Sequence, residues 1–509
     1  MRNADSLYSM EVGGKTDVHK IAGATHVKRL VYAIDPPPSK PPPSPGGAHF
    51  GAVQLHAAVY LDGVRQTSNK VISVEPAQAS VPADLQSKHL WPAAHPSFES
   101  PQCVNVKALP TPAKGDGYTD DYAAIQGALD AHECVFLPRG LYLTSRTLQL
   151  HAGRALIGVA KHLTRVTSLD AGLTAPPRHP NPLRAPDAAL LPVVEVLPSA
   201  ESEEGQQSAP AHTTLAFLSI STWNTLNTTT ALHFHADDGI YRQVHANRAN
   251  RCGSLYRPGC IDSVRINYPL QLVQGAKRLK MYTFFEEDCC HEHVTKVSKA
   301  IPGYPAYWAG YLAGPQGPHY RHLKVADTHG VGFYHLNCEH GTGESICEFT
   351  ESTDLDVYGL KTEGRFVTLW VRDCDRVSVF GTGGCGCSSG DTVYPPDFAK
   401  GYPPTLYRVE RTPNFQFSSL IDQHSMIRLS DYPNSTPTTR PRDMFDEGGC
   451  EPPPPRLAPT CTTGLSATVC WPTGPPSITH MLYVAQGHGS PPLQTQTYDR
   501  PALYLFGEP

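Results

Sequence analysis

The densest run of polar side chains in this sequence is the segment 335–349, and a second segment of interest, 358–364, follows it along the chain. Hydrolysis of a glycosidic bond usually needs two carboxyl groups, one that protonates the leaving oxygen and one that acts as base or nucleophile. Glutamates in these segments can supply such a pair, and basic residues lie close to two of them. We take Glu339, Glu348 and Glu363 as candidate catalytic residues, with His340 and Lys361 as substrate-binding residues.

Three other groups of side chains suggest binding or catalysis less strongly. Glu286, Glu287 and Asp288 form an acidic run that suits Ca²⁺ or acid–base work, or else an acidic turn. Asp327 and His329 lie at a predicted strand end and are further candidates for substrate binding.

His233 and His235 are separated by one residue, so they share one side of a strand, which permits metal binding. No third ligand can be identified from the sequence. We therefore predict no metal site and no cofactor; the Ca²⁺ that a polysaccharide lyase would use is possible at the acidic run but has no further support.

A repeated apolar pattern indicates which elements must position these residues. One spacing of three apolar residues recurs at four places: five residues separate the first from the second, and one residue separates the second from the third. The four places are Val273/Leu279/Met281, Phe349/Leu355/Val357, Val371/Val377/Val379 and Val409/Phe415/Phe417. The step of 22 residues from the second to the third is typical of one rung of a β-helix. The next step of 38 residues predicts a skipped rung or a loop around residues 388–401. An antiparallel sandwich is the main alternative, but it would not readily produce the shorter step.

The same register predicts one pair of outward neighbours. Phe349 and Val371 point inward, so Glu348 and Trp370 point outward and lie side by side on adjacent rungs. A carboxylate beside an exposed indole is a common sugar-binding arrangement, so Trp370 is a candidate substrate-binding residue. The alternatives are that a loop covers this ring, and that the carboxylates form salt bridges between rungs.

The first rungs are predicted from residues 103–158. Thr119 is a candidate N-cap for a helix from Asp120 to about Ala131, whose apolar face is formed by Ala124, Ile125, Ala128 and Leu129. Short strands follow at 135–137 and 141–143, and another begins near residue 153. Cys103 and Cys134 each begin a short strand in neighbouring segments, so we expect them to form a disulfide.

The stretch DG-x-TDD-x-AAIQ-x-ALD, followed by VFLPRG-x-Y and GRALIGV, resembles the entry segment of pectate-lyase-superfamily proteins. The resemblance implies an all-β, single-stranded right-handed parallel β-helix whose N-terminal helix caps the open end. The superfamily includes family 28-like and family 55-like glycoside hydrolases, epimerase-like proteins and viral tailspikes. The later N-x-EH and YGLK-x-EG segments are similar to those of β-helix proteins related to family 55 glucanases, which points to a glycoside hydrolase without assigning roles.

The composition restricts the possible binding partners and the cellular compartment of the protein. The formal net charge of -5 and the absence of a basic cluster predict no binding to nucleic acid. The sequence has no run of about 18 apolar residues, so we predict no membrane span. The 14 cysteines and the sequons at Asn227 and Asn434 favour an extracellular or cell-wall glycoprotein with disulfides. The first 20 residues lack the apolar region of a signal peptide, so we expect the natural N-terminus to lie upstream.

The predicted organisation has five parts. They are an N-terminal segment (1–35), a proline-rich linker (36–46), a small β appendage or irregular segment (47–102), the β-helix domain (103–425) and a Pro/Cys-rich tail (426–509).

Three functions fit these observations. The first is a glycoside hydrolase acting on a cell-wall or matrix polysaccharide, with inversion expected if the acid and base lie two rungs apart. The second is a non-catalytic glycan-binding or matrix protein, and the third is a polysaccharide lyase. Oligomeric state does not follow from the sequence.

Overall fold

The computed structural model describes residues 7–12, 15–20, 26–32, 58–67, 70–75, 85–91, 96–168, 191–198, 212–223, 229–249, 268–282, 285–287, 319–339, 344–364, 367–386, 405–420, 461–464, 467–470, 480–486, 493–495 and 502–508. Within these ranges, no helix is both long enough and apolar enough to cross a membrane.

The described chain forms a right-handed parallel β-helix, and each rung passes through three rows of parallel strands that we call face 1, face 2 and face 3. Face 1 contains Cys103–Asn105, Cys134–Leu137, Ala155–Gly158, Thr214–Ala216, Ile240–Arg242, Lys280–Tyr282 and the first halves of His329–Glu339, Thr353–Gly364, Asp375–Gly386 and Phe415–Leu420. Face 2 contains Asp116–Asp120, Gly140–Thr144, Thr164–Ser168, Ser219–Trp223, His245–Ala249, Phe285–Glu287 and the second halves of His329–Glu339, Thr353–Gly364, Asp375–Gly386 and Phe415–Leu420.

Face 3 contains Leu148–Leu150, Leu191–Val196, Thr229–Phe234, Pro269–Gln274, Arg321–Ala326, Ser345–Thr350, Val367–Arg372, Thr405–Glu410 and His480–Ala485. The parallel pairing throughout these rows rules out the antiparallel sandwich.

The predicted apolar columns form the core. Phe349, Val371 and Val409 are in register on face 3, and all three are fully buried. Because Val371 pairs directly with Val409, no rung is skipped, and the extra length lies in residues 387–404 between two strands of one rung. The skipped rung is therefore excluded, and the predicted loop around residues 388–401 lies outside the described residues.

A one-residue corner joins face 1 to face 2 inside the long strands. His335, Gly359 and Gly381 occupy this corner with φ angles of 62°, 82° and 78°. Residues on both sides of each corner remain paired with the next rung, as Tyr334 with Tyr358 and Leu336 with Leu360. A left-handed residue thus turns the chain without breaking the ladder, and glycine adopts that conformation at no steric cost.

In the first rungs the structure agrees with the predictions from sequence, except at the start of the helix. A helix covers Tyr122–Ala131, and its N-cap is Asp121 rather than Thr119, with no side-chain capping bond. Asp121 instead accepts hydrogen bonds from the backbone N–H groups of Lys114 and Gly115, at 2.6 and 2.9 Å. Ile125, Ala128 and Leu129 are buried in the core, whereas Ala124 is only partly buried. That this helix closes the end of the solenoid stays a prediction.

Cys103 and Cys134 form the expected disulfide, and they are register partners on the first two strands of face 1.

Segments from both ends of the sequence join the last rungs. Leu503–Phe506 pairs antiparallel with Phe415–Leu420, and Val59–Leu61 then pairs with Leu503–Phe506. His480–Ala485 continues face 3 beyond Thr405–Glu410, so the solenoid extends past residue 425 into the predicted tail.

The remaining described strands form three antiparallel pairs and two short strands added to strands already named. Leu7–Val12 pairs with Lys15–Lys20, His26–Tyr32 with Lys70–Glu75, and Cys461–Gly464 with Ala467–Cys470. Val64–Arg65 pairs with Val59–Leu61, and Leu493–Gln494 with His480–Ala485. A short helix covers Leu85–His89, and a 3-10 turn covers Val106–Ala108.

Candidate active site

Two of the three candidate carboxylates occupy equivalent positions on adjacent rungs. Glu339 and Glu363 are register partners near the ends of their face 2 segments. Neighbouring strands lie about 4.8 Å apart. The structure describes the backbone of both residues but not their side chains, so the pairing is a statement about register.

A third glutamate continues this column. Phe285 and Glu286 pair with Asn337 and Cys338, and the same register carried one residue further places Glu287 beside Glu339. Three consecutive rungs therefore carry glutamate at one position of face 2, which we call the glutamate column (Glu287, Glu339 and Glu363).

The glutamate column lies at the edge from which the longest connections of the solenoid leave. Residues 169–190, 250–268, 288–320, 387–404 and 421–479 all link face 2 to face 3. Connections from face 1 to face 2 are mostly one to a few residues long, as at His335, Gly359 and Gly381. Because variable connections on a rigid scaffold commonly carry binding and catalytic residues, this edge is the favoured position for a site.

Two of the predicted substrate-binding residues, Lys361 and His340, lie close to the candidate glutamates in the sequence. Lys361 is exposed on face 2 and pairs in register with Asn337. His340 lies outside the described residues.

Glu348 lies on face 3 and is engaged in ion pairs. Its side chain is buried, with Arg321 Nε at 2.7 Å from one oxygen and Arg372 Nε at 2.8 Å from the other. Burial alone would raise the pKa of Glu348, but the positive charges of Arg321 and Arg372 outweigh it and lower that pKa. A carboxyl held ionised in this way is poorly suited to donate a proton, which disfavours Glu348 as general acid.

Trp370 is the register partner of Glu348, as the sequence predicted, but guanidinium groups surround its ring. The guanidinium carbons of Arg408, Arg372 and Arg321 lie 4.1, 5.1 and 5.7 Å from the ring centroid. Arg408 is also the register partner of Trp370 on the following rung. Contacts of this kind stabilise the stack of rungs through cation–π attraction, and they leave less of the indole available to a sugar ring.

Asp327 and His329 lie on the turn from face 3 to face 1, away from the glutamate column. His329 Nδ1 is 2.7 Å from Thr353 Oγ1 and 3.0 Å from a carboxylate oxygen of Asp354. Asp354 in turn accepts two hydrogen bonds from Arg376, at 2.6 and 2.9 Å, and these bonds lower the pKa of Asp354. This turn therefore carries ion pairs that link successive rungs. The predicted substrate-binding residues do not all converge on one surface.

Sequence reasoning missed a column of aromatic rings on the outside of face 1. Tyr282, Tyr334, Tyr358 and Phe380 stack with centroid separations of 4.7, 5.1 and 5.2 Å. The signal was present, since Tyr334, Tyr358 and Phe380 each directly follow an inward apolar residue at rung spacing. The rings present their faces to one another, so the column contributes mainly to the stacking of rungs.

The short helix Leu85–His89 and Trp91 cover this column. His89 Nδ1 lies 2.9 Å from the hydroxyl of Tyr334, and its ring meets Tyr358 edge-on. Asp356 lies beside the column, and burial raises the pKa of this carboxyl. Asp356 also accepts a hydrogen bond from the hydroxyl of Tyr358 at 3.2 Å, so its contacts tie it to the aromatic column.

Comparison with known families identifies one part of the chain. Residues 103–172 match the family model described as rhamnogalacturonase A/epimerase, pectate lyase-like. The match covers the first rungs, where the sequence resemblance was strongest. No curated protein matches the chain.

Several solved structures resemble the chain at low identity. The tailspike protein 2 enzymatically active domain of bacteriophage CBA120 is 12% identical, with a TM-score of 0.31, and the alignment covers 61% of this chain and 47% of that one. The surface adhesin PfbA of Streptococcus pneumoniae is 12% identical, with a TM-score of 0.29, covering 62% and 88%. An iota-carrageenase complexed with iota-carrageenan fragments is 11% identical, with a TM-score of 0.30, covering 62% and 59%.

The chain thus spans about half the length of the tailspike domain that it matches. The identities and TM-scores are too low for an activity to be carried across to this chain.

Proposed function

We propose that this protein is an extracellular glycoside hydrolase that cleaves a polysaccharide, with Glu339 and Glu363 as its catalytic pair. The register of these two glutamates on adjacent rungs carries the proposal. Retaining glycosidases hold their two carboxyl groups about 5–5.5 Å apart, which is close to the separation of adjacent strands.

This spacing favours retention rather than inversion. Glu287, one rung further along the glutamate column, is two rungs from Glu363 and would suit the wider separation of about 6.5–9.5 Å that inverting enzymes use. The stereochemistry of the product therefore distinguishes the two pairs.

The test is a reducing-sugar assay of the full chain on β-glucan, pectin and xylan, with NMR of the first-formed anomer. We expect E339Q and E363Q each to lose about 10²–10⁴-fold in kcat, as loss of a general acid or base typically does. E351Q is the matched control, because Glu351 is exposed on the distant turn between face 3 and face 1. Full activity of both E339Q and E363Q in an active protein would contradict the assignment.

A non-catalytic glycan-binding protein is the second candidate, and the state of Glu348 favours it. Of the three glutamates predicted to be catalytic, Glu348 is the one whose side chain the structure describes, and it is held between two arginines, which is a structural role. Retention of a glycan by wild-type protein in affinity electrophoresis, without any product from the same glycan, would support this candidate. An unsaturated uronate product would instead indicate a lyase.

A further inference from the structure

We propose that Glu195, His233 and His235 form a binding site for a transition-metal ion of the Zn²⁺ type. One ligand atom from each of these side chains lies within 4.8 Å of the other two. The site lies on face 3, whereas the glutamate column lies on face 2, and it does not depend on the proposed hydrolase activity.

The parallel ladder brings the three residues together. Glu195 and His233 are register partners on adjacent strands of face 3, and His235 follows two residues later. His235 remains tied to the same pair of rungs, because its backbone N–H donates to the carbonyl of Val196 at 3.0 Å. Two imidazoles from one rung therefore meet a carboxylate from the preceding rung.

Hydrogen bonds orient two of the ligands. His235 Nδ1 lies 3.1 Å from the backbone carbonyl of Gln274. A carbonyl oxygen can only accept, so Nδ1 carries the proton and Nε2 keeps the lone pair that a metal needs. Gln149 Nε2 donates to Glu195 Oε2 at 3.1 Å and fixes that carboxylate. Such outer hydrogen bonds to ligating histidine and carboxylate are usual in metal sites.

The donor set selects the metal. Two imidazole nitrogens and one carboxylate oxygen suit Zn²⁺, Co²⁺ or Ni²⁺, whereas Ca²⁺ takes six to eight oxygen ligands. Three protein ligands leave one position of a tetrahedral site for water. Metal–ligand bonds of about 2.0–2.2 Å require the side chains to draw together by small rotamer changes from their present separation. His233 is buried and Glu195 and His235 are partly buried, so the ion would sit in a sheltered position at the surface of face 3.

The experiment is a titration of the metal-free full chain with Co²⁺, followed by its visible absorption, and then displacement by Zn²⁺. We expect one equivalent to bind with the intense bands of a tetrahedral nitrogen and oxygen site. H235A and E195Q should each weaken Co²⁺ binding by at least about 100-fold, and Q149A should weaken it by about 10-fold, as loss of an outer hydrogen bond does. An excess of Ca²⁺ should not displace the Co²⁺.

H212A is the matched control. His212 Nδ1 also lies near a backbone carbonyl, that of Asp238 at 2.9 Å, but His212 belongs to no such cluster among the described residues. The control matters because the chain has 24 histidines that can bind metal weakly. Circular dichroism of each variant checks that the fold is retained. Unchanged Co²⁺ binding in folded H235A and E195Q, an equal loss in H212A, displacement by Ca²⁺, or no stoichiometric binding by the wild type would each overturn the proposal.

Discussion

At the scale of single residues, the side chains with the strongest electrostatic contacts serve the fold. Glu348 neutralises Arg321, whose side chain is 3% exposed, and also binds Arg372. Glu344 lies 3.5 Å from both Arg321 and Arg408, so this network of charges joins several strands of face 3. A buried charge without its partner is costly, which makes this network sensitive to single substitutions.

We therefore expect E348Q to lower the free energy of unfolding by about 3–5 kcal/mol, because it leaves Arg321 buried without its main counter-charge. Urea denaturation followed by circular dichroism measures the loss. D373N is the control, since Asp373 and Arg411 form an exposed ion pair that water screens, and its loss should be clearly smaller. A smaller loss for E348Q than for D373N would show that the buried network contributes little.

At the scale of elements, successive rungs approach so closely at one strand end that no atom can be added there. Gly158 ends a face 1 strand, and a Cβ atom there would lie 2.3 Å from the backbone oxygen of Phe217. Gly127 lies in the helix Tyr122–Ala131, where an added Cβ would meet nothing within 4 Å. Replacing glycine by alanine therefore tests the packing of rungs at Gly158 and helix propensity at Gly127.

We expect G158A to destabilise the protein by about 1–3 kcal/mol, as overpacking of a close contact does. G127A should stabilise it by about 0.5–1 kcal/mol, because alanine favours the helix. Thermal unfolding of the two variants side by side measures both effects. Equal shifts in the same direction would contradict the close approach of backbone at Gly158.

At the scale of the whole molecule, residues 58–67 and 502–508, which are far apart in the sequence, pack together at the last rungs of the solenoid. Tyr504 is fully buried, and its ring stacks on Tyr60 at 5.2 Å and on Phe415 at 5.8 Å. Each rung of a solenoid contacts mainly its neighbours, so damage at this end should stay local.

Y504A should accordingly increase amide hydrogen exchange in residues 58–67 and 415–420 while leaving residues 134–158 protected. Removal of a buried aromatic side chain costs about 3–5 kcal/mol, so the local effect should be large. Y118A is the control, because Tyr118 is 90% exposed. Faster exchange spread evenly along the solenoid would show that its rungs unfold together.

The sequence by itself determined the rung pattern, the Cys103–Cys134 pair and the neighbours Glu348 and Trp370. These follow from strand alternation and from a rung whose length can be counted between Phe349 and Val371. The boundary of the helix was less predictable, because Asp121 bonds to the backbone of Lys114 and Gly115 instead of capping the helix.

Only the tertiary structure decided which residues meet across connections of variable length. Glu195 lies beside His233 and His235 although residues 197–228 separate their strands, and Glu287 is in register with Glu339 although residues 288–328 separate theirs. Register between rungs is set by backbone pairing and core packing, and a connection that leaves the solenoid can have any length without changing it. Counting residues along the sequence therefore fails wherever such a connection occurs, and there the pairing of strands decides the site.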